Sequence, residues 1–241
     1  MLVFVSDVHI RKVDDENAKL FLQFLDHPLV TQSERLYLLG DIFDLMVGSK
    51  KEYLSEFEPI FLKIKELAIN GKHIHFIEGN HDFHLRKLYE EYFCNGNFTH
   101  HTQPFVEEYK GEKFLVCHGD EIELENPSYE RYRKFIKSDF IKTLANGIVP
   151  HSFIKSVGER ASHTSRKYSA NYENAIVREK YVRSARKACE DYGVTKTIFG
   201  HSHLTEHIQE EGFEYINNGF FPKSKCFSVL DKNGFRADSL A

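Results

Sequence analysis

Five short clusters of Asp, His and Asn recur in the 241-residue chain, each behind an apolar run. They are Asp7-Val8-His9, Gly40-Asp41-Ile42-Phe43-Asp44, Gly79-Asn80-His81-Asp82, His118-Gly119-Asp120 and Gly200-His201-Ser202-His203. Together they offer enough carboxylate, amide and imidazole groups for two adjacent divalent ions. Mixed ligands of this kind suit Mn, Fe or Zn better than Ca. Two such ions activate water and clamp a phosphoryl group, so the residues point to hydrolysis of a phosphoester or phosphoanhydride. Any one cluster is weak evidence, because a lone His is more often structural than a ligand. The ordered set of five is a strong signal, with glycines that let the backbone turn sharply beside short polar side chains.

The elements that must position these groups follow from periodicity. Leu2 to Val5 reads as a buried strand, residues 16–27 as a helix, and Arg35 to Leu39 as a second strand. Tyr53 to Ile69 carries Leu54, Phe57, Phe61, Ile64 and Leu67 on one face and is expected as one helix closed by Gly71. His73 to Ile77 is a third strand. Phe105 to Tyr109 and Lys113 to Cys117 flank a hairpin turn at Lys110-Gly111-Glu112. A mostly helical stretch runs from 128 to 192, and Lys196 to Phe199 returns as a strand. Short strands near 206–209, 213–216 and 227–230 finish the chain. Strand–helix alternation implies βαβ units and an α/β fold. Ligands in such sheets bind beyond the carboxyl ends of the strands, where all five clusters fall.

Net charge is −4, unevenly placed. Residues 131–187 hold 14 Lys/Arg against 4 Asp/Glu, a balance of +10, and the remainder stands at −14. A basic segment suits an anionic substrate or an anionic lipid surface, although a solvated helical face explains most of these charges. The start of the chain lacks the basic residues and apolar length of a signal peptide, and no run reaches membrane-spanning length. Four scattered cysteines without a C-x-x-C pair read as small buried residues in a thiol-reducing compartment. A cytoplasmic protein is expected. No nucleic-acid-binding module is recognisable, and no oligomeric state follows from the sequence.

The order D-x-H, G-D-x-x-D, G-N-H-D, H-G-D, G-H-x-H resembles that of the calcineurin-like metallophosphoesterases, from Asp7 to His203. The resemblance implies a β-sandwich flanked by helices, with residues 1–127 and 193–241 as the core and 128–192 as a helical insertion, or cap. It assigns one ion to Asp7, His9, Asp41 and His203, and the second to Asp41, Asn80, His118 and His201. Asp41 would bridge the two, and Mn²⁺ is the metal it favours. A water activated between the metals would attack phosphorus in line, with His81 stabilising the transition state or protonating the leaving group. Asp82 is expected to orient a ligand histidine from behind. Asp120 is expected either to support the site in the same way or to form the turn. Asp44 reads equally as a turn former or a site residue. A non-catalytic scaffold would carry degraded ligand positions, whereas all seven here are competent.

The helical, basic insertion between H-G-D and G-H-x-H resembles, more closely, that of the UDP-2,3-diacylglucosamine hydrolases. Those enzymes cleave a lipid-linked nucleotide pyrophosphate to lipid X and UMP. That resemblance places Asn80, Asn126, Tyr129, Arg160, Arg166 and Lys167 near substrate, although Asn126 and Tyr129 also read as ordinary helix entry. It further implies peripheral contact with the cytoplasmic face of the inner membrane. His81 departs from it, because that family usually has Arg there and His is the ordinary residue of the wider superfamily. This position favours a phosphodiesterase or phosphatase of another substrate. Tyr132, Phe135, Ile136, Phe140 and Leu144 form an apolar stripe, with Arg131, Lys134, Lys137 and Lys142 mostly off it. The stripe is expected to pack on the main domain. The alternative is an apolar wall for acyl chains.

Overall fold

The computed structural model describes residues 1–94, 96–123, 125–147, 149–156 and 175–240. Two sheets face each other. The first orders β13-β12-β1-β2-β4-β6, from Leu2–Val5 (β1), Arg35–Leu38 (β2), His73–Ile77 (β4), Phe98–His101 (β6), Cys226–Asp231 (β12) and Gly234–Ser239 (β13). The second orders β10-β11-β9-β8-β7, from Phe105–Tyr109 (β7), Glu112–Val116 (β8), Lys196–Phe199 (β9), Thr205–Glu210 (β10) and Phe213–Asn218 (β11). Met46–Val47 (β3) and Asp82–Phe83 (β5) form a small parallel pair beside them.

The strands that end in polar clusters are central and mutually parallel: β1 with β2, β2 with β4, and β8 with β9. Such strands are buried on both faces, which is why Leu2 to Val5 is an unbroken apolar run. Phe4, Tyr37, Leu39 and Ile77 of the first sheet meet Phe114, Val116, Ile198 and Ile216 of the second, making the inter-sheet core. The outer face of the first sheet takes Glu16–Asp26 (α1) and Glu58–Ile69 (α4) through Phe21, Phe24, Ile60, Phe61 and Ile64. The outer face of the second takes the long helix Ala175–Tyr192 (α8) through Tyr181, Ala185 and Cys189, packed on Cys117, Phe199 and Tyr215.

The helix expected over Tyr53 to Ile69 is two helices, Glu52–Glu56 (α3) and α4, broken at Phe57 (φ −116°, ψ 29°). Pro59 causes the break. It has no N–H to donate to the Ser55 carbonyl, and its ring would crowd that carbonyl if α3 ran on, so it suits the first turn of α4. Of the expected cap, Pro127–Ile136 (α6) and Asp139–Asn146 (α7) pack on the main body through a small core of Val47, Phe83, Ile136 and Ala145. The rest of the aromatic stripe is not buried there: Tyr132, Phe135 and Phe140 are 50, 58 and 65% exposed. Among the described residues, no helix is long and apolar enough to cross a membrane.

One edge of the inter-sheet core carries a ladder of imidazoles. His75 stacks on Tyr37, His73 and His101 with centroids 4.5, 4.4 and 5.3 Å apart, and His101 stacks on Phe105 at 3.9 Å. Burial, and then the neighbouring histidines, push His75 down to about 2, and burial pushes His101 down to about 4. These rings fold neutral but protonate near 6.5 when unfolded. Stability therefore falls as pH drops below 6.5, where the unfolded chain binds more protons. His75→Phe keeps the stack and removes one such proton. Between pH 7 and 5 the variant should lose about 2 kcal/mol less stability than the parent chain, measured by urea unfolding at both pH values. Equal losses in the two proteins would refute this account of the ladder.

Candidate metal centre

All five clusters meet at one end of the sandwich. Asp7 and His9 follow β1, Asp41 follows β2, and Asn80 and His81 follow β4. His118 follows β8, and His201 and His203 follow β9. The loops turn within two residues of their strands and hold a demanding backbone. Asp7, His9, Asp41, His201 and His203 all have φ between 52° and 63°. Side chains other than Gly seldom adopt that region, and such outliers gather where function fixes the geometry. The motif glycines allow the close approach. A Cβ on Gly79 would lie 2.1 Å from Asp41 Oδ1, and one on Gly200 would lie 2.2 Å from Asp7 Oδ2.

Asp41 is the centre of the arrangement. Its Oδ2 is 3.7 Å from His9 Nε2 on one side and 3.5 Å from His118 Nε2 on the other. Its Oδ1 accepts the His81 backbone N–H at 2.9 Å. On the His9 side, His203 Nε2 lies 3.3 Å from both His9 Nε2 and Asp7 Oδ1. On the other side, His118 Nε2 lies 3.1 Å from Asn80 Oδ1. Among the described residues, three sets of side chains converge closely enough to hold an ion: Asp7, His9 and His203; His9, Asp41 and His81; and Asp7, Asp41 and His118. The ring of His201 stands 5.2 Å from that of His118.

The electrostatics suit cations. Asp7 and Asp41 are almost fully buried. Burial raises Asp41, but His118, His81 and His9 outweigh it and hold the carboxyl well below its usual range. Burial likewise opposes the ionised form of Asp7, yet His203 keeps it low. In turn burial lowers His118, but Asp41 raises it well above the ordinary imidazole value. The outer ring nitrogens are already engaged. His118 Nδ1 donates to the Leu39 carbonyl at 2.7 Å, and His9 Nδ1 lies 3.5 Å from Asp44 Oδ1. In their neutral form both rings would turn an Nε2 lone pair inward, the arrangement of an oriented metal ligand. The donor set fits borderline divalent ions.

The supporting residues differ from expectation in part. Among the described residues, Asp82 reaches no histidine. It accepts backbone N–H groups of Asp41 (2.9 Å), Ile42 (2.7 Å), Phe43 (3.3 Å) and Gly79 (2.9 Å), so it fixes two ligand loops instead. Burial and the nearby Asp41 push it up to about 7. Asp44 faces His9 and the Arg11 guanidinium, and it is held at about 2 by His9 against the effect of burial. Asp120 takes Arg133 at 2.8 Å. Asn126 caps α6, accepting the Tyr129 N–H at 3.2 Å. Tyr129 sets its ring 5.6 Å from His201, and its hydroxyl has no hydrogen-bond partner among the described residues. Arg160, Arg166 and Lys167 lie outside the described residues.

Three groups have no place among the sequence motifs. Glu123 sits with Oε2 3.3 Å from His201 Nε2. Burial opposes its charge, but His201, Asn126 and Lys180 hold it at about 2. Glu78 is buried just before Asn80, with Lys137 Nζ 3.7 Å away. Lys137 also donates to the Gly79 carbonyl at 2.8 Å. The only sequence signal for these was excess acid near motif loops and base within the insertion.

Comparison with known proteins agrees with the site. The model of the calcineurin-like phosphoesterase family matches residues 1–204. The chain is 26% identical over 234 residues to the UDP-2,3-diacylglucosamine hydrolase of Haemophilus influenzae (strain PittGG), covering 96% of this chain and 95% of the relative. It is 28% identical over 216 residues to the Neisseria meningitidis serogroup B enzyme of the same name, covering 88 and 86%. A solved archaeal phosphodiesterase shares the fold, with a TM-score of 0.53 at 13% identity across 99% of both chains. The chain thus belongs to the calcineurin-like phosphoesterase family and is a metal-dependent hydrolase.

Proposed function

We propose that the chain cleaves a phosphoanhydride at a dinuclear centre, with UDP-2,3-diacylglucosamine as substrate and 2,3-diacylglucosamine 1-phosphate and UMP as products. The observation that carries the hydrolytic reading is Asp41, set between His9 and His118 at 3.7 and 3.5 Å. Asp7, His9, Asp41 and His203 would hold one ion, and Asp41, Asn80, His118 and His201 the other. When bound, two such ions, Mn²⁺ by our reading, supply Lewis acidity that activates water and neutralises phosphoryl oxygens. The protein's part is positioning. His81 Nδ1 lies 2.8 Å from the Asp44 carbonyl and donates to it, which leaves Nε2 for the developing charge or the leaving oxygen.

The lipid part of the reading is supported by α6 and α7. We take these two helices as the cap and α8 as part of the core, since α8 packs on the second sheet. Tyr132, Phe135 and Phe140 stand exposed on the cap, with Arg131, Lys134 and Lys142 around them. Exposed aromatics rimmed by cations fit acyl chains and an anionic membrane surface. The full-length similarity to hydrolases of that substrate points the same way. A second reading, a phosphodiesterase of a non-lipid substrate, draws on His81 in place of Arg.

Three experiments test these readings. Asp41→Ala should abolish hydrolysis and reduce bound metal, measured by turnover and by elemental analysis; unchanged turnover ends the proposal. With Mn²⁺, the parent chain should turn over UDP-2,3-diacylglucosamine in preference to an aryl phosphodiester, an aryl monoester and a cyclic nucleotide. Preference for the aryl phosphodiester would establish the second reading. Replacing Phe135 and Phe140 together by Ser should raise KM for the acylated substrate on the order of tenfold and leave aryl phosphodiester turnover unchanged. An unchanged KM would remove the cap from the account of specificity.

A further inference from the structure

A histidine that binds a metal must be neutral, with its proton on the nitrogen turned away from the ion. What that outer N–H donates to decides which nitrogen faces inward. His118 and His9 settle this with the Leu39 carbonyl and the Asp44 carboxylate, both at Nδ1. His201 is arranged the other way round. Its Nε2 lies 3.3 Å from Glu123 Oε2. An ionised carboxylate only accepts, so Nε2 must be the donor, and Nδ1 is the nitrogen left for an ion.

Glu123 is built to do this. Its side chain is 7% exposed. Oε1 accepts the Asn126 amide at 2.9 Å and pairs with Lys180 of α8, which leaves Oε2 to His201. The His201 backbone is fixed separately, its N–H donating to Asp7 at 3.0–3.1 Å. The ring is thus held from two sides, by Asp7 through the main chain and by Glu123 through Nε2. Asn126 meanwhile caps α6. One carboxylate therefore joins the metal loop after β9, the start of α6 and the middle of α8.

We propose that Glu123 is a positioning residue for the metal centre: it fixes the Nε2–H tautomer of His201 and so turns Nδ1 to the second ion. The inference rests on the dinuclear reading above. Carboxylates that orient a ligand histidine typically contribute ten- to a hundredfold in metal affinity.

The test is Mn²⁺ titration of the metal-free full chain by calorimetry. The parent chain should bind two ions. Glu123→Ala should weaken one of the two by roughly ten- to a hundredfold in a chain whose circular dichroism shows it still folded. Glu123→Gln, whose amide oxygen still accepts, should recover part of that loss. Glu125→Gln cuts a neighbouring contact of the same loop with α8, at Arg183, and should bind both ions as the parent does. Two ions bound as tightly by Glu123→Ala as by the parent would overturn the inference, and so would an equal loss in Glu125→Gln. A parent chain that bound no Mn²⁺ would instead defeat the dinuclear reading itself. ¹⁵N spectra of the metal-free parent chain give an independent readout, which does not depend on any variant folding. His201 should appear as the Nε2–H tautomer, and an Nδ1–H tautomer would overturn the inference.

Discussion

The carboxylate of Asp41 has almost no contact with water, yet it must be charged to act. An uncompensated buried anion costs several kcal/mol. Here the compensation comes from imidazoles, chiefly His118, His81 and His9. Imidazolium is a poor match for that task, because the same rings are the ones placed to donate lone pairs. Divalent ions would resolve the conflict: His9 and His118 would be neutral ligands and the ions would carry the positive charge. The strained φ values of Asp7, His9, Asp41, His201 and His203 belong to the same bargain. Each costs of the order of 1–3 kcal/mol, and the structure must over-determine it. Asp82 contributes to that over-determination through four backbone N–H groups on two loops.

The sandwich then decides which side chains can meet. The first sheet supplies Asp7, His9, Asp41 and Asn80, and the second supplies His118, His201 and His203. The centre straddles the two sheets. Its width is set by what lies between them, among it Phe4, Tyr37, Phe114, Val116 and Ile198. Close-packed interiors transmit small volume changes, so these distant apolar residues hold the spacing of the clustered Asp and His side chains. The Gly79 and Gly200 contacts show how little slack there is at the rim.

Much of this was legible in the sequence, because strand ends and ligand types are local signals. The runs before Asp7, Asp41, Asn80, His118 and His201 are the strands observed, and their clusters do converge. What was not legible depends on neighbours far along the chain. Glu123, Glu78 and Asp44 take their meaning from His201, Lys137 and His9, and no spacing rule connects them. The break at Phe57 was a local signal passed over: Pro59 inside an otherwise helical pattern. The aromatic stripe of α6 and α7 shows the limit of periodicity. It identifies a face but not what covers it, and only Ile136 of that stripe is buried.

Helix α6 deserves to be understood as part of the centre and not as decoration upon it. Arg133 and Lys137 are four residues apart, on one face of the helix. Arg133 reaches Asp120, two residues beyond His118, and Lys137 reaches Glu78 and the Gly79 carbonyl, just before Asn80. Both acids are buried; Arg133 compensates the charge of Asp120, and Lys137 shares that task at Glu78 with His100, 3.2 Å away. At its C-terminal end, the Ile136 carbonyl accepts from His84 at 2.9 Å, on the loop that carries Asn80 and His81. The helix is therefore bolted across the two loops that supply His118 and Asn80. Pressure on its exposed face would bear directly on the spacing of His118 and Asn80. On the proposed reading, substrate seating and metal geometry share one rigid member.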